Sequence, residues 1–107
     1  MKHLRTLSAL ALTCGTLLAA GNALAIDELH KKYACTACHA DDTKLVGPSY
    51  KEVAAKYKGD KDAVAKLSKK VKEGSTGVWG PIPMPPNATT SPADITDLVT
   101  WILSLKK

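Results

Sequence analysis

Residues 35–39 read Cys35-Thr36-Ala37-Cys38-His39, and no other feature narrows so far what the chain can fold into. Two thiols three positions apart, with an imidazole directly behind, suit three chemistries: a redox-active dithiol, part of a zinc site, or the covalent attachment of a haem. The remaining residues have to choose among them.

The N-terminus reads as an export signal. Lys2 and Arg5 are followed by an apolar run from Leu7 to Ala20 and by Ala23-Leu24-Ala25, a small-residue cleavage pattern. The run is shorter than the roughly 20 apolar residues of a spanning helix. Cleavage after Ala25 is therefore expected, with residues 1–25 removed as signal peptide and 26–107 forming one domain. Cys14 leaves with the signal, since the residues before it lack a lipoprotein pattern. Removing Lys2 and Arg5 from the 15 Lys plus Arg leaves 13 lysines against 10 Asp plus Glu. Cys35 and Cys38 become the only cysteines, Met84 the only methionine, and His30 and His39 the only histidines. A domain this small, with no Phe at all, has a marginal core of its own. A disulfide between Cys35 and Cys38 would close too short a loop to help.

The apolar spacing is helical throughout, with no sustained alternation. A first helix is predicted over about Asp27 to Ala40 and a second over Tyr50 to Lys58, ended by Gly59. A third spans about Lys61 to Glu73 and carries Val64, Leu67 and Val71. A fourth is capped by Ser91 with Pro92 at its first position, and its stripe is Ile95, Leu98, Val99, Ile102 and Leu105. The stretch Gly74 to Ser91 holds three glycines and four prolines, which exclude regular structure from most of it. Its Val78, Trp79, Ile82 and Met84 make it too apolar for a disordered linker, so it is expected to cover something.

This all-α pattern separates the three chemistries. A dithiol oxidoreductase would be expected among strands. A structural zinc needs about four ligands, and the motif supplies three, with His30 or an acid left to complete the set. Covalent haem fits the spacing: thiols at i and i+3 share a helix face and reach one porphyrin edge, and His39 follows with its imidazole toward the iron. Export fits too, because such attachment belongs outside the cytoplasm. One apolar disc also answers the shortage of core.

Three segments carry a resemblance: "CTACH", "DTKLVGPSYKEVAAKY" and above all "GVWGPIPMPPNA". On these the chain, from residue 26 on, resembles the class I cytochromes c, in particular the small bacterial cytochrome c-551 type. The resemblance implies about four helices packed around one covalently bound haem c. Cys35 and Cys38 would form the thioethers and His39 would be the proximal iron ligand, oriented by the backbone carbonyl of Pro48. Met84 would be the distal ligand, its backbone restricted by prolines on both sides. His30, the rival ligand, lies on the same predicted helix as the motif, five residues before Cys35, and is expected on a helix surface. By the same resemblance Trp79 donates to a haem propionate and Asn87 orients the methionine sulfur. Some relatives place an arginine in the third helix against a propionate; Lys70 stands at that position here and lacks the bidentate fork.

The implied function is that of a periplasmic one-electron carrier rather than an enzyme. It would exchange electrons with a terminal oxidase, a nitrite reductase or a quinol-oxidising complex. The alternative is a haem-based sensor in which Met84 leaves to admit a ligand. Nucleic acid and stable membrane insertion are not expected, and a monomer is. Lys31, Lys32, Lys44, Lys51 and Lys56 fall in segments expected near the exposed haem edge, where charge would speed encounter with an acidic partner.

Overall fold

The computed structural model describes residues 20–106, so most of the expected signal peptide, including Cys14, lies outside the described residues. Four α-helices follow one another: α1 (Ala20–Lys32), α2 (Tyr50–Lys56), α3 (Ala63–Glu73) and α4 (Pro92–Ser104), with a short 3₁₀ turn at Cys35–Ala37. No strand occurs among the described residues, only isolated bridges between His39 and Lys44 and between Ser75 and Met84. The fold is the expected all-α one.

α4 is the hub on which α1, α2 and α3 all pack. Its start follows from local chemistry. Ser91 Oγ accepts from the Asp94 amide at 3.2 Å, and Pro92 occupies the first turn, where its missing N–H costs nothing. Ile95, Leu98 and Val99 are buried, and Ile95 and Val99 meet Val53 of α2 and Leu67 of α3 in the core. α2 begins with a reciprocal cap: the Glu52 amide donates to Ser49 Oγ, and the Ser49 amide donates to Glu52 Oε2. The end of α1 is tied to the start of α4 by Tyr33, whose hydroxyl donates to Asp94 Oδ2 at 2.7 Å.

Several expectations need correction. The first helix does not run on to Ala40; it stops at Lys32, because Ala34 takes a left-handed conformation with φ 56°. Cys35 and Cys38 are therefore presented by a tight 3₁₀ turn, whose three-residue period also stacks positions i and i+3. α2 ends two residues early, at Lys56, and α3 starts two residues late, at Ala63. Val64, assigned to the core stripe of α3, is 37% exposed. His30, expected on a helix surface, is only 5% exposed, since α1 turns Ile26 and His30, one turn apart, inward.

A left-handed alanine is strained by about 1–2 kcal/mol where glycine is not. Ala34→Gly is expected to raise the unfolding free energy by roughly 0.5–1 kcal/mol despite the extra freedom of the unfolded chain. Denaturant unfolding of the haem-loaded protein measures this. A lower midpoint would show that the turn is not held as described.

Candidate cofactor site

The segment after the 3₁₀ turn folds back on it. The Gly47 amide donates to the Cys38 carbonyl at 2.8 Å, and the Tyr50 amide donates to the Ala40 carbonyl at 2.9 Å. These bonds bring Pro48 to His39, where Nδ1–H donates to the Pro48 carbonyl oxygen at 2.7 Å. A carbonyl can only accept, so the proton lies on Nδ1 and the Nε2 lone pair is left available. Gly47 makes the approach possible, because a Cβ there would stand 2.6 Å from His39 Cε1. Tyr50 lies nearly parallel to the His39 ring, with centroids 5.3 Å apart and planes at 23°.

The long loop between α3 and α4 is pinned at Met84. The Ser75 amide donates to the Met84 carbonyl at 3.1 Å, and the Met84 amide donates back to the Ser75 carbonyl at 2.8 Å. Gly74 lets the two arms of this loop touch, since a Cβ there would meet Met84 O at 2.6 Å. Asn87 fastens the far end: its backbone amide and its Nδ2 both donate to the Val71 carbonyl of α3, and Nδ2 also reaches Pro85 O. These backbone partners for Asn87 were not foreseen from sequence.

One cavity gathers the eight residues assigned to the haem: Cys35, Cys38, His39, Pro48, Lys70, Trp79, Met84 and Asn87 all line it. Its inner wall is apolar, formed by Val53, Leu67, Leu98, Val99 and Ile102. Among the described residues six large apolar side chains are exposed, and five of them (Leu45, Val46, Val78, Trp79, Ile82) line the same cavity. A water-soluble chain rarely leaves so much contiguous apolar surface without something to cover. An extended apolar group with thiol-reactive edges and an iron fits this donor set. The two thiols sit at one border, an imidazole nitrogen is ready to ligate, and a thioether shares the same cavity.

The competing chemistries fit less well. Burial pushes the Cys35 thiol up, only partly offset by a backbone hydrogen bond, whereas an attacking redox thiol needs the opposite shift. Among the described residues no three His, Cys, Asp or Glu side chains converge as a metal site. His30 does not join the cysteines: its Nδ1 lies 3.0 Å from the Tyr50 hydroxyl.

The residues matched by the cytochrome c family model are 18–106. The chain belongs to the cytochrome c family. It is 55% identical to cytochrome c-551 of Pseudomonas aeruginosa, over 99% of this chain and all of that one. It is 54% identical to cytochrome c-552 of Nitrosomonas europaea, over 84% of this chain and 87% of the other. The crystal structure of wild-type Nitrosomonas europaea cytochrome c552 superposes with a TM-score of 0.72, covering 75% of this chain and 99% of that one. The chain is thus a small class I cytochrome of the c-551 type. It carries one covalently bound haem c, with Cys35 and Cys38 in the attachment position, and serves as an electron carrier that acts with redox partners.

Two contacts of the site were missed in the sequence, Tyr50 against His39 and Lys56 against Trp79. Tyr50 was legible only as a core residue of α2. Lys56 places Nζ 5.2 Å from the centroid of the Trp79 ring, a cation–π contact that joins α2 to the Met84 loop. The third-helix lysine, Lys70, is half-buried at the cavity and forms no ion pair among the described residues.

Two outcomes follow from this geometry. Gly47→Ala forces the His39 ring away from its place, and overpacking of this kind costs roughly 1–3 kcal/mol. Denaturant unfolding and the NMR signals of the His39 ring should both move; unchanged ring signals would refute the close approach. The second concerns acid. Burial holds His30 below its ordinary value of 6.5, with His39 adding to that shift and Asp41 and Asp27 opposing it. A depressed folded pKa means that the unfolded chain binds the proton first. The contribution of His30 to stability is therefore complete above pH 6.5 and is lost as pH falls through the lower folded value. His30→Phe should flatten this part of a stability–pH curve, whatever its effect at pH 8.

Proposed function

We propose that this chain is an exported, periplasmic one-electron carrier in which His39 and Met84 hold the haem iron from its two faces. The observation that carries this reading is the His39–Pro48 hydrogen bond, which leaves the Nε2 lone pair of His39 free at a cavity that Met84 also lines. The haem supplies the Fe(II)/Fe(III) couple, and the residues around it do the rest. Cys35 and Cys38 tether it at one edge. The Pro48 carbonyl fixes the tautomer and orientation of His39. Met84 supplies a neutral sulfur, which raises the potential relative to a second imidazole or a thiolate.

With His39 and Met84 both given to the bound iron, no position would be left for a substrate, so electron transfer without bond-making, and not an enzymatic reaction, is the function proposed. A sensor with a labile Met84 is supported less well, because its backbone is paired in both directions with Ser75 and flanked by Pro83 and Pro85. Trp79 and Lys70 line the cavity where the propionates of the bound haem are proposed to lie. Among the described residues no helix is long and apolar enough to cross a membrane. The proposed partners are a terminal oxidase, a nitrite reductase or a quinol-oxidising complex.

The lysines proposed to steer docking are not equivalent. Lys51 is half-buried and ion-paired with Asp42, whereas Lys31, Lys32, Lys44 and Lys56 are exposed, with Lys32 lying over the Tyr33 ring and Lys56 over the Trp79 ring. Steering by exposed charge is screened over about 8 Å at physiological salt, so transfer to an acidic partner should slow as ionic strength rises.

Met84→Ala tests the ligation. The haem should stay with the polypeptide on a denaturing gel, while the sulfur-to-ferric-iron absorption disappears, carbon monoxide binds quickly and the potential falls. An unaltered ferric spectrum would place the distal ligand elsewhere. Loss of the haem on the gel would defeat the attachment at Cys35 and Cys38.

A further inference from the structure

His30 and Tyr50 are buried together, 5% and 4% exposed, and the electron-carrier reading leaves both without a task. Their rings lie 4.9 Å apart, and Trp101 of α4 stands edge-on to each, at 5.0 and 5.7 Å. The same Tyr50 ring stacks on the imidazole of His39. A chain of contacts thus runs from α1, through α2, to the imidazole at the cavity.

The hydrogen bond between His30 Nδ1 and the Tyr50 hydroxyl, at 3.0 Å, has a direction that donor and acceptor strength can assign. His30 Nε2 is buried and has no hydrogen-bond partner. If Nδ1–H donated to the phenol, the Tyr50 proton and the Nε2 lone pair would both be stranded. If the phenol donates to Nδ1, the Nε2–H and the acceptor capacity of the phenol oxygen are left idle instead. The counts are equal, but the phenol is the stronger donor and the bare imidazole nitrogen the stronger acceptor, so the better bond has Tyr50 donating to Nδ1. Both groups are neutral near pH 7, because burial lowers the pKa of His30 and raises that of Tyr50.

We propose that His30 is a positioning residue for the redox site: by accepting the Tyr50 proton it holds the phenol ring parallel to His39 and so tunes the iron through that ligand. This rests on His39 being an axial ligand. A phenol that donates a hydrogen bond has a more electron-rich ring. Such a ring beside the imidazole favours the oxidised, more positive site, by the attraction that draws cations to aromatic faces. His30 therefore lowers the reduction potential. A merely space-filling His30 would affect stability alone.

The test uses the haem-loaded protein. Long-range ¹H–¹⁵N NMR of the wild type should show His30 as the Nε2–H tautomer; an Nδ1–H tautomer overturns the proposal without any variant. His30→Phe and Tyr50→Phe should each raise the midpoint potential, shifting the electron-exchange equilibrium with a reference carrier about two- to fivefold. The double variant should go no further than either single one, since both remove one interaction. His30→Asn, whose side-chain oxygen can accept near the Nδ1 position, should restore most of the wild-type potential. Wild-type potentials in both single variants, or additive shifts, contradict the proposal. Failure of the underlying ligation is seen separately, as ferrous wild-type protein lacking the strongly shifted ring signals of an axial histidine.

Discussion

The hydrogen bond from His39 to the Pro48 carbonyl is the contact on which the rest of this structure turns. It requires the chain to reverse directly after the attachment motif. The reversal in turn requires the Gly47 amide on the Cys38 carbonyl and a glycine where any side chain would strike the imidazole. From Pro48 the chain passes straight into the Ser49–Glu52 cap and α2. The position of the whole second helix is thus tied to the His39 imidazole. Local capping energy, about 1 kcal/mol for such a cap, and the geometry of the site reinforce each other.

Around that contact the helices do not close on one another. α4 gathers α1, α2 and α3 along one side, and the apolar faces of Leu67, Leu98, Val99 and Ile102 also form the wall of a cavity. On the other side lies a proline-rich loop, too stiff to collapse inward and pinned by Ser75 and Asn87. A chain of this size lacks the apolar side chains to fill such a space, and a covalently held haem supplies that surface. Cofactor and core are one problem solved once, which explains why the exposed apolar residues cluster where they do.

Much of this was legible in the sequence where the signal was local. Ser91-Pro92 starts α4 as expected because a cap and a first-turn proline act within a few residues. The eight candidate site residues could be named because the attachment spacing and the Met84 segment are short, rigid motifs, and all eight line one cavity. What escaped depended on distant partners. Ala34 is a strong helix former, so propensity carried the first helix past it, but the turn that presents the cysteines overrides propensity there. His30 is polar and lies on a weakly patterned helix. Its burial is set by Tyr50 and Trp101, 20 and 71 positions away in sequence. Asn87 was assigned a role near the methionine sulfur, and its backbone partners on α3 emerged only in three dimensions.

The account stands or falls on Met84 and His39 sharing one iron. The proton NMR spectrum of the ferrous protein tests this most directly, because Met84 is the only methionine besides Met1. A single methionine methyl shifted far upfield by the porphyrin ring current, absent from the Met84→Ala spectrum, is the predicted result. A ferrous protein whose only methionine methyl signals lie at ordinary positions would contradict it.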